Sequence, residues 1–159
     1  MLRKQIAKRD AHPQASRGEI RIPDAATLSV TSEMPEHPID CICDDQRGPG
    51  STRWIADETG DQTLVLAFDI PRNLHKVSLE VEETNGSRTQ ELALSVSLDW
   101  GQTYREVLRQ EYNFSPPGTT FEHEEWRVPV EGVTNLWFWI RPDKGGKPCR
   151  ASITSLALE

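Results

Sequence analysis

The stretch Thr63-Leu64-Val65-Leu66-Ala67-Phe68-Asp69-Ile70 decides the fold. Side chains alternate across an extended chain, so Leu64, Leu66, Phe68 and Ile70 fall on one face and Thr63, Val65, Ala67 and Asp69 on the other. That is a strand with one apolar and one wetter face. The same period of two recurs along the chain. Val77, Leu79 and Val81 alternate with Ser78, Glu80 and Glu82, and Leu92, Leu94, Val96 and Leu98 alternate with Glu91, Ala93, Ser95 and Ser97. Trp126, Val128 and Val130 then alternate with Glu125 and Arg127, Leu136, Phe138 and Ile140 follow, and Ala151 to Leu158 close the series. Turn formers separate the runs at Asp57 to Asp61, Asn85-Gly86, Asp99 to Gly101, Pro116-Pro117-Gly118, Glu131-Gly132 and Lys144-Gly145-Gly146. One-sided strands need a second sheet to cover their apolar faces, so the pattern predicts an all-β, antiparallel β-sandwich. No internal repeat of about 20 to 50 residues suggests a propeller or solenoid.

The 159 residues suit one core, divided into a basic N-terminal extension over 1–24 and a β-sandwich domain over 25–159. Within the extension the spacing of Leu2 and Ile6 predicts one face of a short helix before His12-Pro13 and Ile22-Pro23 stop any longer one. Residues 1–21 hold six Lys and Arg against two carboxylates, +4, which leaves −11 of the net −7 for the remainder. An acidic body disfavours nucleic acid as its main partner, because that affinity comes largely from neutralised phosphates; only the extension suits that role. There is neither an apolar run of about 18 residues nor a secretory leader, so the expected location is cytoplasmic, with no membrane span.

Three cysteines, Cys41, Cys43 and Cys149, are too few for a disulfide framework and fit a reducing compartment. Cys41-Ile42-Cys43 lies between His37 and Asp44-Asp45, but the spacing is not a zinc pattern. Nucleophile-elbow, phosphate-loop and dinucleotide motifs are absent, and His123-Glu124-Glu125 lacks the second histidine of a zinc protease. The expectation is a protein that is not an enzyme and holds no cofactor.

Two further features concern function. If Leu136, Phe138 and Ile140 face the core, Trp137, Trp139 and Arg141 face outward, where indole rings either stack on the C–H faces of a sugar or lie under a covering segment such as the N-terminal stretch or Phe114 to Phe121. Trp54 and Trp126 fall in phase with apolar neighbours and are expected in the core. Ser97-Leu98-Asp99-Trp100-Gly101-Gln102-Thr103-Tyr104 is similar to the Asp-box of sialidase propellers. A single copy is a hairpin cap, with Asp99 accepting backbone N–H groups, Gly101 at positive φ and Tyr104 returning to the core.

The order of features over about 130 residues resembles the discoidin or coagulation factor 5/8 type C family. Ser29 to Ser32 open the domain, followed by Ile39-Asp40, Thr52-Arg53-Trp54, Leu64 to Asp69, Val77 to Val81, Ser97 to Gly101 and Leu136 to Ile140. The resemblance implies a galactose-binding-like jelly roll, a non-catalytic module akin to carbohydrate-binding modules, with ligand loops at one end. Those loops correspond to Asp44 to Arg53 and Thr84 to Arg88, making Arg47, Arg53, Asn85 and Arg88 ligand candidates beside Trp137 and Trp139. It also implies a possible calcium at Asp40, Asp44 and Asp45, which is not favoured because Thr154-Ser155 stands where calcium-binding members carry a glutamate. The expected ligand is a carbohydrate. The alternative is a protein partner, as in the N-terminal domain of the single-strand-break repair scaffold, which resembles the same fold.

Overall fold

The computed structural model describes residues 18–159. A single helical turn, α1 (Ile22–Ala25), carries Pro23 in its first turn and buries Ile22 and Ala25. It leads into β1 (Ala26–Val30), a 3-10 turn at Ile39–Cys43, β2 (Trp54–Ile55), β3 (Gln62–Glu82), β4 (Arg88–Ser97), β5 (Arg105–Phe114), β6 (Phe121–Arg141), β7 (Ser152–Ile153) and β8 (Ser155–Leu158). Every pairing is antiparallel. The all-β sandwich expected from the alternation is what the chain forms.

β3 and β6 are each 21 residues long and join runs that the sequence suggests are separate strands. Their first register runs from Gln62 opposite Ile140 to Ala67 opposite Asn135, and their second from Lys76 opposite Arg127 to Glu82 opposite Phe121. Register shifts between Ala67 and Lys76 bend the pair. One half then lies between β1 and β4–β5, while the other half pairs with β8. Gly132 takes a φ of +72° at this corner, and its N–H donates to Asn73 Oδ1 at 3.0 Å. The Glu131-Gly132 signal is therefore a corner within a strand rather than a loop between two.

The two layers meet through Leu64, Leu66, Phe68, Leu92, Leu94, Val96, Leu136, Phe138 and Ile140 on one side and Val77, Leu79, Val81, Leu156 and Leu158 on the other, all buried. Each such side chain contributes about 1.5–3 kcal/mol on burial. Trp54 is fully buried, its Nε1–H donating to the Ser32 carbonyl at 2.9 Å, whereas Trp126 is only partly buried. Ile70 and Leu98, in phase with the core on sequence alone, are 60% and 52% exposed, Ile70 because it falls in the register shift at the bend of β3 and Leu98 because it lies past the end of β4. Residues 1–17 of the basic extension lie outside the described residues; Ile20 N donates to Leu158 O at 2.9 Å, and Ile22 joins the core.

The Asp99 hairpin caps β4–β5. Asp99 Oδ1 accepts Thr103 N–H at 2.9 Å and Oδ2 accepts the Thr103 hydroxyl at 2.6 Å, while Gly101 at φ +86° donates to Ser97 Oγ. The hydrogen bonds from Thr103, then that from Ser97, hold the Asp99 carboxyl down at about 2. Tyr104 does not return to the core: it lies on the outer face, its ring edge-on to Trp137 at 5.2 Å.

Candidate functional site

β3 ends on two carboxylates, Glu82 and Glu83, and reverses through Thr84 to Ser87 into Arg88 at the start of β4. Arg88 is buried, and a guanidinium is costly inside a protein unless its donors are satisfied. Here Nε donates to Glu83 Oε1 at 2.7 Å, Nη1 to Gln90 Oε1 at 2.7 Å and Pro142 O at 2.9 Å, and Nη2 to Ser152 Oγ at 2.9 Å. Gln90, fully buried, donates to Ser152 O at 3.0 Å. These two side chains tie the start of β4 to β7 and to the connection that leaves β6. Burial raises the Glu83 carboxyl, but the Asn85 N–H and Arg88 outweigh it and hold the group below its ordinary value.

Above this floor opens a cleft of ≈ 510 Å³ between the β3–β4 turn, the segment after β2 and the loop before β7. Met34, Ile55 and Pro148 give it apolar surface, and Arg53, Asn85, Lys147 and Arg150 bring polar groups to its wall. Arg53 Nη2 donates to Glu82 Oε1 at 2.9 Å, Arg150 Nε donates to Asp57 O at 3.1 Å, and Lys147 Nζ donates to Ser87 O. The loop before β7 is set by Asp143, which accepts Thr89 N–H at 2.9 Å and Lys147 N–H at 3.0 Å. The Cys149 thiol, also in the wall, is raised by burial and is thus a poor nucleophile.

Arg53, Asn85 and Arg88 are therefore brought together, while the other candidates are not. Arg47 turns away to Glu19, Nη2 to Oε2 at 3.2 Å. Its loop is pinned to β3, where Gly48 N–H donates to Glu80 at 2.8 Å and Gly50 N–H to Glu82 at 3.0 Å. Asp44 spends one oxygen on Gln46 N–H at 2.9 Å and the other on the Thr52 hydroxyl at 2.6 Å; Asp45 stands 3.6 Å from Arg21. No trio of His, Cys, Asp or Glu able to hold a metal is gathered among the described residues. Cys43 faces a groove with Pro23 and Leu28 and is apart from Cys149 in the cleft.

Trp137 and Trp139 lie on the outer face of the β1–β3–β6–β4–β5 sheet, away from the cleft. Trp137 is 38% exposed and flanked by Tyr104. Trp139 is half-buried, with the Arg109 and Arg141 guanidinium groups 5.3 and 5.2 Å from its ring centre and its Nε1–H on Asp61 Oδ2 at 3.3 Å. Among the described residues its cover is arginine side chains rather than a loop. Among the cleft residues that the sequence did not reveal are the cations Lys147 and Arg150; only the Lys144-Gly145-Gly146 turn signal marked their loop.

No protein-family model matches the chain, and no curated protein matches it. Solved structures do. A pectin-binding carbohydrate-binding module superposes with a TM-score of 0.62 at 16% identity, covering 85% of this chain and 90% of that one. The CBM32-5 module of CpGH89 from Clostridium perfringens, in complex with GalNAc-β-1,3-galactose, gives 0.60 at 19% identity over 89% and 99% of the two chains. The CBM32 of AlyQ in complex with 4,5-unsaturated mannuronic acid gives 0.55 at 18% over 90% and 98%. The fold is a galactose-binding-like jelly roll. At these identities the likeness concerns the fold, which carbohydrate-binding modules share with discoidin domains.

Proposed function

We propose that this jelly roll is a carbohydrate-binding module whose ligand enters the cleft between the β3–β4 turn and the loop before β7. The observation that carries the reading is the cleft itself. Its size lies within the range of about 300–1,000 Å³ typical of small-molecule sites, and its wall combines donors with apolar contacts. A sugar presents the complementary surface: hydroxyl pairs for Arg53, Asn85 and Arg150, and C–H faces for Met34 and Ile55. Neighbours of the same fold are carbohydrate-binding modules, with galactosides and an unsaturated uronic acid in their complexes.

Binding rather than turnover suits the two carboxylates present. A glycosidase needs one carboxyl raised so that it can donate a proton. Glu83 is shifted the other way, and Glu82 is tied to Arg53 and to Gly50 N–H. The test is titration of the protein against a saccharide panel beside the Arg53→Ala and Asn85→Ala variants. Saccharide binding weakened at least tenfold in both variants, measured at a temperature where each remains folded, supports the reading. Absence of saccharide binding, together with specific capture of a protein through the same cleft, would favour the protein-interaction alternative.

A further inference from the structure

The charges of the cleft do not match those of the protein. The chain is −7 overall, yet the cleft wall holds Arg53, Arg88, Lys147 and Arg150 against Glu82 and Glu83, four cations to two carboxylates. Two of the cations are already neutralised, Arg53 by Glu82 at 2.9 Å and Arg88 by Glu83 at 2.7 Å. The other two are not: Lys147 and Arg150 form no ion pair among the described residues. The other carboxylate on this loop, Asp143, lines the adjoining depression, which Lys147 also borders, and both its oxygens accept backbone N–H groups.

Both cations are nonetheless held in place. Lys147 Nζ is tied to the Ser87 carbonyl on one wall, and Arg150 Nε to the Asp57 carbonyl on the other. A carbonyl positions a cation without cancelling its charge; Lys147 also feels the Asp143 carboxylate, which it helps to hold below its ordinary value, so the cleft is flanked by two ordered cations, neither of them ion-paired within it. The Debye length is about 8 Å at physiological ionic strength, so the remote acidic surface is largely screened there while these two charges act at contact.

Resting on the carbohydrate reading, we infer that the ligand is an anionic saccharide whose carboxylate or sulfate is gripped between Lys147 and Arg150. The guanidinium fork suits a bidentate oxyanion, and the ammonium adds a point charge. Arg53 and Asn85 then serve the neutral hydroxyls of the same sugar.

The experiment is calorimetric titration of the whole chain with oligogalacturonate, oligomannuronate, a sulfated galactan, carboxyl-reduced oligogalacturonate and a neutral galacto-oligosaccharide, at about 50 and 300 mM salt. The expected result is that at least one acidic saccharide binds tenfold or more tighter than its neutral counterpart, with an affinity that falls as salt rises. Lys147→Ala and Arg150→Ala should each reduce that preference about tenfold without lowering the melting temperature, since both residues are exposed. Arg105→Ala, at the start of β5 and another cation without an ion pair among the described residues, controls for general charge and should change nothing. The uronate and sulfated arms distinguish the two sources of the anion. Equal binding of charged and neutral saccharides, unaffected by the two variants, would overturn the inference and leave the carbohydrate reading standing. Binding of no saccharide at all would overturn both.

Discussion

Arg88 follows a turn and has the chemistry of a ligand contact, but its environment makes it a support for the cleft, and the two roles predict opposite outcomes for Arg88→Ala. Its side chain is 3% exposed and Glu83, its partner, 19% exposed. Removing one member of a buried, hydrogen-bonded ion pair costs about 3–5 kcal/mol, because the remaining charge keeps its desolvation penalty without its partner. Gln90 Oε1, Pro142 O and Ser152 Oγ also lose a donor. For a domain of this length 1 kcal/mol corresponds to about 2–4 °C, so the melting temperature should fall by about 6–20 °C. The pH dependence adds a second signature. Glu83 is depressed below its ordinary value of 4.5, so its contribution to stability is present above that pH and lost as pH falls through the lower, folded-state value. Acid titration of the melting temperature should therefore show a shallower low-pH decline in Arg88→Ala than in the parent. Arg88→Lys restores the charge but not the fork that spans Glu83, Gln90 and Ser152, and should recover only part of the loss. A variant that melts within about 2 °C of the parent yet no longer binds saccharide would refute the supporting role.

Trp137→Ala removes an exposed ring with one edge contact, worth about 0.5–1.5 kcal/mol, and should lower the melting temperature by only a few degrees while leaving saccharide affinity unchanged in titration. Trp139→Ala, which strips two guanidinium contacts and the Asp61 hydrogen bond, should cost more stability than Trp137→Ala and equally little affinity; lost binding at unchanged stability in either would move the ligand to the sheet face. Asp99→Asn should destabilise the β4–β5 hairpin at neutral pH but less at acid pH: the carboxylate, held at about 2, contributes fully above its ordinary 3.8 and loses that contribution as pH falls toward 2, which melting curves across that range will follow. Added calcium or a chelator should not move the melting temperature, whereas a site filled at a hundred times its dissociation constant would add about 2.7 kcal/mol.

The alternation at Leu64 to Phe68, Val77 to Val81 and Leu136 to Ile140 was legible because each run has one face in the core and one outside it. β5 was not. Leu94 stands opposite Leu108 and Ser95 opposite Glu106, so Val107 is the extra residue of a bulge, and the two-residue phase breaks in the middle of the strand. Residues at the cleft divide in the same way. Asn85 and Arg88 belong to one short turn, where composition and the family resemblance both point to a loop at the end of the sandwich. Lys147 and Arg150 occupy an aperiodic loop placed by contacts 54 to 62 positions away in the sequence, from Arg88 to Pro142, Thr89 to Asp143 and Gln90 to Ser152. A local pattern carries no trace of such contacts.

Those distant contacts also account for how the cleft keeps its shape with no disulfide gathering its loops. Each wall is fastened by side chains rooted on β3 or β4, or by a carboxylate that the wall itself supplies. Glu80 and Glu82, two residues apart and so on one face of β3, accept Gly48 and Gly50 N–H and fix the loop that carries Arg53. Arg88 and Gln90, likewise two apart on β4, fasten Pro142 and Ser152 at either end of the loop that carries Lys147 and Arg150. Asp143 closes that loop through Lys147 N–H and joins it to Thr89. Polar groups satisfied in this way inside a protein are strong and mutually reinforcing, and breaking one leaves its partner unpaired. The cleft is thus ordered before a ligand arrives. A preordered site loses less entropy on binding, which matters most for a sugar, whose individual hydroxyl contacts compete with water and gain little each.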